Sequence, residues 1–200
     1  MTFESYQATP GAFNDTTNLY DNVTVRFVPR NTTRSAVPNT THRVRHDGTN
    51  YNGTTAGIAG NDEGVTTEEA VSDVPFGPFS ATITLDQPNA VTETNESDNT
   101  VTVTTTVSPP NPGLFITADR IQVRPGDSVT LEWGSTLSYP MNCTVEGPGV
   151  DIDPAALPGN TTTPGISAKS EYFLTCIEPT TATEFNSSVT VETVGSVEEI

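Results

Sequence analysis

Cys143 and Cys176 are the chain's two cysteines, and His42 and His46 its two histidines. These four side chains carry most of its capacity for covalent or metal chemistry. Catalysis by a cysteine or serine paired with histidine needs a nucleophile held beside its base, often on a sharp strand-to-helix turn. The sequence has no such elbow and no sustained helical period. His42 and His46 are spaced so that both can face one side of a strand. Two imidazoles without a placed carboxylate or thiol still make a poor zinc site. They are expected to be ordinary surface residues, and no catalytic or metal-binding residue is assigned. Clusters at Asn61-Asp62-Glu63, Glu93–Asp98 and Asp151/Asp153 offer oxygens of the kind calcium takes, without the spacing of a calcium loop. The competing use of such side chains is a turn hydrogen bond to their own backbone. No other cofactor is implied.

The triplet Asn-x-Ser/Thr, an acceptor for N-linked glycans, occurs at Asn14, Asn22, Asn31, Asn39, Asn52, Asn95, Asn142, Asn160 and Asn186. Many such triplets arise by chance in threonine-rich sequence. Asn22, Asn142 and Asn186 are distinguished by phase, because Val23, Cys143 and Ser187 beside them are expected to point inward. The asparagines then point outward, where a glycan would not touch the core. A plain polar outward position is the alternative.

The formal net charge of −17 excludes the basic footprint of a general nucleic-acid binder. Lys169 is the only lysine. A hydrated acidic surface suits life in salt or in a harsh exterior; a genome that prefers arginine codons is the alternative. Arg26, Arg30, Arg34, Arg43 and Arg45 lie in the first 46 residues against only Glu4, Asp15 and Asp21, whereas Arg120, Arg124 and Lys169 face all the remaining acids. Such polarity could steer an arginine-bearing edge of one copy onto an acidic face of another. Repeated head to tail, that contact makes an open filament, and about a two-fold it closes. The competing role is a solvated loop whose arginines neutralise nearby aspartates. Sugar binding, in turn, favours exposed aromatic platforms. The sole tryptophan, Trp133, falls in inward phase, leaving Tyr6, Tyr20, Tyr51 and Tyr139 unassigned.

The elements that must position these residues read as strands. The first twenty residues are polar with scattered aromatics and could form an arm or an edge strand. Asp21–Phe27 alternates cleanly, with Val23, Val25 and Phe27 on one face. From Pro29 to Gly64 the texture is loop-like, with a short strand at Thr41–Arg45, and strands resume at Val65–Val71, Pro78–Leu85 and Val101–Val107. Ser108-Pro109-Pro110-Asn111-Pro112-Gly113 then divides the chain. Its prolines favour stiff, extended backbone, so residues 108–113 are expected to act as a spacer. The halves, 1–107 with an N-terminal arm and 114–200, are each long enough for a modest core. No apolar run approaches a membrane span and no signal-peptide core follows Met1. No membrane insertion is expected. A fragment of a secreted protein, a numbering without its leader, or export inside a particle all accommodate this.

The stretch FSATITLDQPNAVTETNESDNTVTVTTTV resembles the end of a CARDB-type domain, the cell-adhesion-related module of prokaryotic surface proteins. Asp86, Asn89, Val91, Glu93, Asn95, Glu96 and Asn99 occupy the places of that family's turn between its last two strands. The match covers about residues 15–107. It implies an immunoglobulin-like sandwich with a stalk or adhesive role and no catalytic residues.

Residues 114–200 resemble a bacterial immunoglobulin-like repeat through Pro125, Gly126, Ser128, Thr130, Leu131 and Trp133, then Cys143, then Tyr172, Leu174 and Cys176. The tryptophan precedes the first cysteine here, the reverse of the antibody order. Strand phase speaks independently of the resemblance. Val129, Leu131 and Trp133 share a face, as do Met141, Cys143 and Val145, and Tyr172, Leu174 and Cys176. Both cysteines therefore point inward, as a bridge across the core requires. Such a bridge would stabilise the fold by roughly 3–4 kcal/mol and implies an oxidising setting. Two buried free thiols are the alternative.

The predicted fold class is thus all-β, two tandem immunoglobulin-like antiparallel β-sandwiches. The predicted function is a non-enzymatic structural or adhesive subunit of a cell-surface appendage or extracellular filament. A virion surface protein (spike, turret or decoration) and a carbohydrate-binding module of a secreted protein are the alternatives. Expected partners are further copies of the chain, neighbouring surface or virion proteins, or a host-cell or glycan surface. The expected location is the cell exterior or the virion surface.

Overall fold

The computed structural model describes residues 1–87, 89–93, 95 and 97–194. It divides into two compact units, Met1–Val107 and Ser108–Ile200. The described residues are organised as strands, and each unit is an immunoglobulin-like β-sandwich.

In the first unit the strands are β1 Thr2–Pro10, β2 Phe13–Asn14, β3 Leu19–Arg30, β4 Thr40–His46, β5 Thr49–Thr55, β6 Thr67–Val74, β7 Gly77–Leu85 and β8 Thr100–Val107. β3 is the spine of one sheet, pairing with β1 and β2 and also with β6. The other sheet runs β5-β4-β7-β8, and every pairing in the unit is antiparallel. Alternation drives this arrangement, since every second side chain of a strand faces the same way. Val23, Val25, Phe27 and Val71 of the first sheet meet Val44, Phe79, Ala81, Ile83 and Leu85 of the second in one core.

Of the two readings of the polar first twenty residues, an arm or an edge strand, the second holds: β1 is an edge strand paired to β3 from Thr2↔Arg30 to Pro10↔Val23. One expectation for this unit needs correcting. The loop-like middle contains a complete hairpin of β4 and β5. Asp47 and Gly48 at its tip have φ of 43° and 83°, the left-handed pair that a two-residue turn matched to strand twist requires.

In the second unit the strands are β9 Phe115–Ala118, β10 Gln122–Val123, β11 Thr130–Gly134, β12 Asn142–Gly147, β13 Val150–Ile152, β14 Gly159–Thr162, β15 Ser170–Glu178 and β16 Thr183–Thr193. One sheet is β10-β16-β15-β12-β13 and the other β14-β11-β9. The β10–β16 pair is parallel, and the remaining pairs of this unit are antiparallel. Trp133, Leu131 and Ile116 pack against Val145, Tyr172, Leu174 and Val191, and the Trp133 indole N–H donates to Ala156 O at 2.9 Å.

Cys143 and Cys176 form a disulfide. It does not cross the core between sheets. The two residues stand directly opposite on adjacent strands β12 and β15, with Cα atoms 4.0 Å apart. Inward phase was the right reading of each cysteine, but residues paired across neighbouring strands share that phase too.

Residues 108–113, expected from sequence to act as a stiff spacer, make hydrogen bonds within the second unit. The Tyr139 hydroxyl donates to Pro110 O at 2.6 Å, and the Thr136 N–H and hydroxyl both donate to Pro112 O at 2.9 Å.

Candidate functional site

His42 is not a surface residue. It lies on the inward face of β4, 1% exposed, with its ring edge-on to Phe27. Its Nδ1 is 3.0 Å from the Thr55 hydroxyl and its Nε2 is 2.7 Å from Glu69 Oε1. Thr55 ends β5 and Glu69 belongs to β6, so the imidazole ties one sheet to the other. Gly53 makes room for it, since a Cβ there would meet the His42 ring at 2.6 Å. A hydroxyl, an imidazole and a carboxylate in a row is the order of a nucleophilic relay. Here the hydroxyl is a secondary alcohol only 1% exposed, so no substrate can reach it. The relay is a structural tie. His46, also expected at the surface, is half-buried, stacked on Phe79 with centroids 4.6 Å apart, and its Nδ1 lies 2.8 Å from Ser80 O.

The acidic and amide side chains singled out in sequence serve turns in several places. Asp86 is fully buried, and its two carboxylate oxygens accept the N–H groups of Ala90 and Val91 at 3.0 and 2.9 Å. Asn95 Oδ1 accepts the Ser97 N–H and hydroxyl at 3.2 and 2.6 Å. Glu96 of the same stretch lies outside the described residues. Asp62 accepts the Glu63 N–H at 2.9 Å, while Asp151 and Asp153 are exposed. No group of three or more His, Cys, Asp or Glu that could hold a metal occurs among the described residues.

Glu178 is a buried turn-capping carboxylate that no sequence pattern singled out. It is buried at the end of β15 and accepts the N–H groups of Thr180 and Thr181 at 2.9 and 2.6 Å and the Thr181 hydroxyl at 2.7 Å. Burial pushes its pKa up, but these hydrogen bonds outweigh burial and hold it below the ordinary glutamate value. The hint in sequence was Glu178-Pro179-Thr180-Thr181, an acceptor placed just before a proline turn.

The sequons separate into distinct groups. Asn31 cannot carry a glycan as folded, because it is fully buried. Its Nδ2 donates to Ser35 O, Ile58 O and Ala59 O at 2.8, 3.3 and 3.0 Å, and its Oδ1 accepts from Thr33. Asn14 closes a turn, accepting the Thr16 and Thr17 N–H groups at 3.0 and 3.2 Å, and it is half-buried, as is Asn22. Asn39, Asn52, Asn95, Asn142, Asn160 and Asn186 are exposed.

The five N-terminal arginines do not act as one patch. Arg26 pairs with Glu68 at 2.8 Å across β3 and β6, and Arg30 with Glu4 at 2.6 Å. The hydrogen bond and charge of Glu4 raise the Arg30 pKa further. Arg34 lies exposed between β3 and β4. Arg43 and Arg45 share the outward face of β4, flanked by Asn52 and Thr84 and by Asn50 and Thr82. Neither enters an ion pair among the described residues.

The aromatics left open by the sequence are mostly internal. Tyr20 and Tyr139 are buried, Tyr51 packs against the first core, and Tyr6 is 47% exposed. Trp133 is buried beneath a shallow recess lined also by Phe115, Pro158 and Asn160. Two exposed apolar side chains share the outward face of β15, Phe173 and Ile177 at 46% and 40% exposure, while Val65 and Ile121 are exposed elsewhere. Among the described residues no helix is long and apolar enough to cross a membrane.

No protein-family model matches the sequence, and no curated protein matches it either. Solved structures similar in backbone include the transglutaminase of red sea bream, at 10% identity and TM-score 0.48 over 98% of this chain. This chain spans only 32% of that one. Fibronectin(III)-like modules of CbhA from Clostridium thermocellum match at 11% identity and TM-score 0.31, covering 100% of this chain and 98% of theirs. A chimeric titin Z1Z2 tandem matches at 13% identity and TM-score 0.31, covering 98% and 99%.

Proposed function

We propose that this chain is a non-enzymatic structural or adhesive subunit of an extracellular appendage or filament. On this reading its first unit is a CARDB-type module and its second a bacterial immunoglobulin-like module. The observation that carries the proposal is where the reactive side chains go. His42, Asp86 and Glu178, buried titratable groups of the two units, are each spent on internal hydrogen bonds that hold strands and turns. What remains for partners is sheet surface, rich in threonine and asparagine on β4, β5, β7 and β8. Flat polar sheet faces suit contact with other proteins more than capture of a small substrate in a concave pocket. The buried Asp86 and its capped turn support the CARDB-type reading, because they give the motif residue a fixed structural role. The Cys143–Cys176 disulfide supports an oxidising, extracellular setting.

Immunogold labelling of intact source cells or particles, with antibody to the folded chain, tests the proposal. Label on external structures is the expected result. Label that appears only after the envelope is opened would overturn it.

A further inference from the structure

One outward sheet face of the first unit and one of the second differ in charge. Strands β4, β5, β7 and β8 of the first unit contain no aspartate or glutamate at all. Their outward positions are threonine, serine and asparagine, with Pro78, around Arg43 and Arg45. Strands β10, β12, β13, β15 and β16 of the second unit contain no lysine or arginine, and Lys169 just before β15 pairs with Glu192 of β16 at 2.8 Å. Their outward positions include Glu146 opposite Asp151, Glu171 opposite Thr190, and Glu184 opposite Ile177. Phe173 and Ile177 lie among them, exposed. In a chain of net charge −17, four neighbouring strands without an acid that carry two arginines outside any described ion pair are an exception.

We infer that the arginine face of the first unit docks on the acidic face of the second unit in another copy of the chain. This deepens the structural-subunit reading and rests on it. The occupant is a second copy because the complement is already present on the same chain. An acidic rim around an apolar pair has the anatomy of a protein contact, and Arg43 and Arg45 supply the long cationic side chains such a rim receives. The contact is heterologous, joining different surfaces, so a pair of copies keeps one arginine face and one acidic face free for the next. Arg26 and Arg30, already paired with Glu68 and Glu4, are not part of it.

Two charge reversals test the inference by sedimentation velocity. Arg43→Glu with Arg45→Glu makes both faces acidic, and Glu171→Arg with Glu184→Arg removes most of the acidic character of the second face, leaving Glu146, Asp151 and Glu192. The unaltered chain is expected to associate with rising concentration and to lose about tenfold in affinity or more as salt rises from about 0.05 to about 1 M. Each variant alone is expected to stay monomeric, and an equal mixture of the two to associate again. Should Arg43→Glu unfold the first unit, Arg45→Ser at an exposed position is expected to weaken association about threefold or more. Variants that associate as the unaltered chain does, or a mixture that stays monomeric while the unaltered chain associates, would overturn this interface and leave the structural-subunit reading standing. An unaltered chain that is monomeric throughout also overturns it. Surface labelling then decides the broader reading separately.

Discussion

The first unit holds its two sheets together with polar ties, while the second staples one sheet covalently. In the first, His42 on β4 reaches Glu69 on β6 from within the core, and Asn31 pins the backbone at Ser35, Ile58 and Ala59. In the second, the Cys143–Cys176 disulfide joins β12 to β15, and Glu178 caps the turn into β16. The difference follows from loop length. Residues 31–39 and 56–66 of the first unit lie outside its strands apart from isolated bridges. Their backbone groups need partners wherever they are covered. An amide side chain with both donors and an acceptor supplies several at once. The second unit has shorter connections around β12 and β15, and a cross-link there restricts the unfolded chain instead.

The largest effect that separates the units is loss of the disulfide. Replacing Cys143 and Cys176 together by alanine should lower the stability of the second unit by roughly 3–4 kcal/mol, the loop-closure value for a separation of 33 residues. Urea unfolding followed by Trp133 fluorescence reports on that unit, and its midpoint should fall. Amide exchange in β3 and β7 of the first unit should not change. Loss of protection in both units together would show that they do not fold as separate bodies. The reciprocal change is Asn31→Ala. Three carbonyls lose their donor and Thr33 its acceptor in a fully buried site, at a cost of about 2–4 kcal/mol to the first unit alone. Unchanged exchange protection at Val37 and Ile58, whose backbones bond each other, would contradict that role.

Strands with strict alternation were legible from sequence. Val23, Val25 and Phe27, and Phe79, Ala81, Ile83 and Leu85, are buried as their phase predicts. β5, TNYNGTT, was not, because it has no branched aliphatic residue and its partner β4 supplies the core contact. The Asp47-Gly48 turn was the available signal. Asn31 and His42 were misread for a different reason. Beside nearer partners, each reaches groups 27 or 28 residues away, at Ile58, Ala59 and Glu69, and no local pattern marks a side chain that reaches that far. Phase also could not say whether the cysteines faced each other across the core or along one sheet, since both place them inward.

A pH profile sharpens the comparison with a smaller effect. The Glu178 pKa is lower in the folded chain than its ordinary value of about 4.3. A carboxylate with a depressed folded pKa binds fewer protons folded than unfolded. Its contribution is therefore complete above about pH 4.3 and is lost as pH falls through the lower folded value. The second unit should weaken in that acid window. Glu178→Gln should cost about 1–2 kcal/mol at neutral pH, because Oε1 and Oε2 separately accept the Thr180 and Thr181 N–H groups and the amide keeps one acceptor oxygen while setting its NH2 against the other N–H. It should also flatten the acid limb of a midpoint-against-pH curve. An acid limb of unchanged slope in the variant would assign the loss to other carboxylates.

The smallest effect concerns the arginines and separates folding from docking. Arg26 and Glu68 are 48% and 50% exposed, and Arg30 and Glu4 are 42% and 40% exposed. Ion pairs this open are screened, and the long side chains lose entropy in forming them. Arg26→Ala should therefore cost the first unit about 0.2–1 kcal/mol, in a midpoint shift that shrinks as salt is added. It should leave self-association unchanged, because its charge is already answered within β6. Arg45→Ser should do the reverse, with little change in midpoint and weaker association. If Arg26→Ala proved the more damaging to association, the contact would lie on the β1-β3-β6 side of the first sandwich, where acids and bases are already mixed.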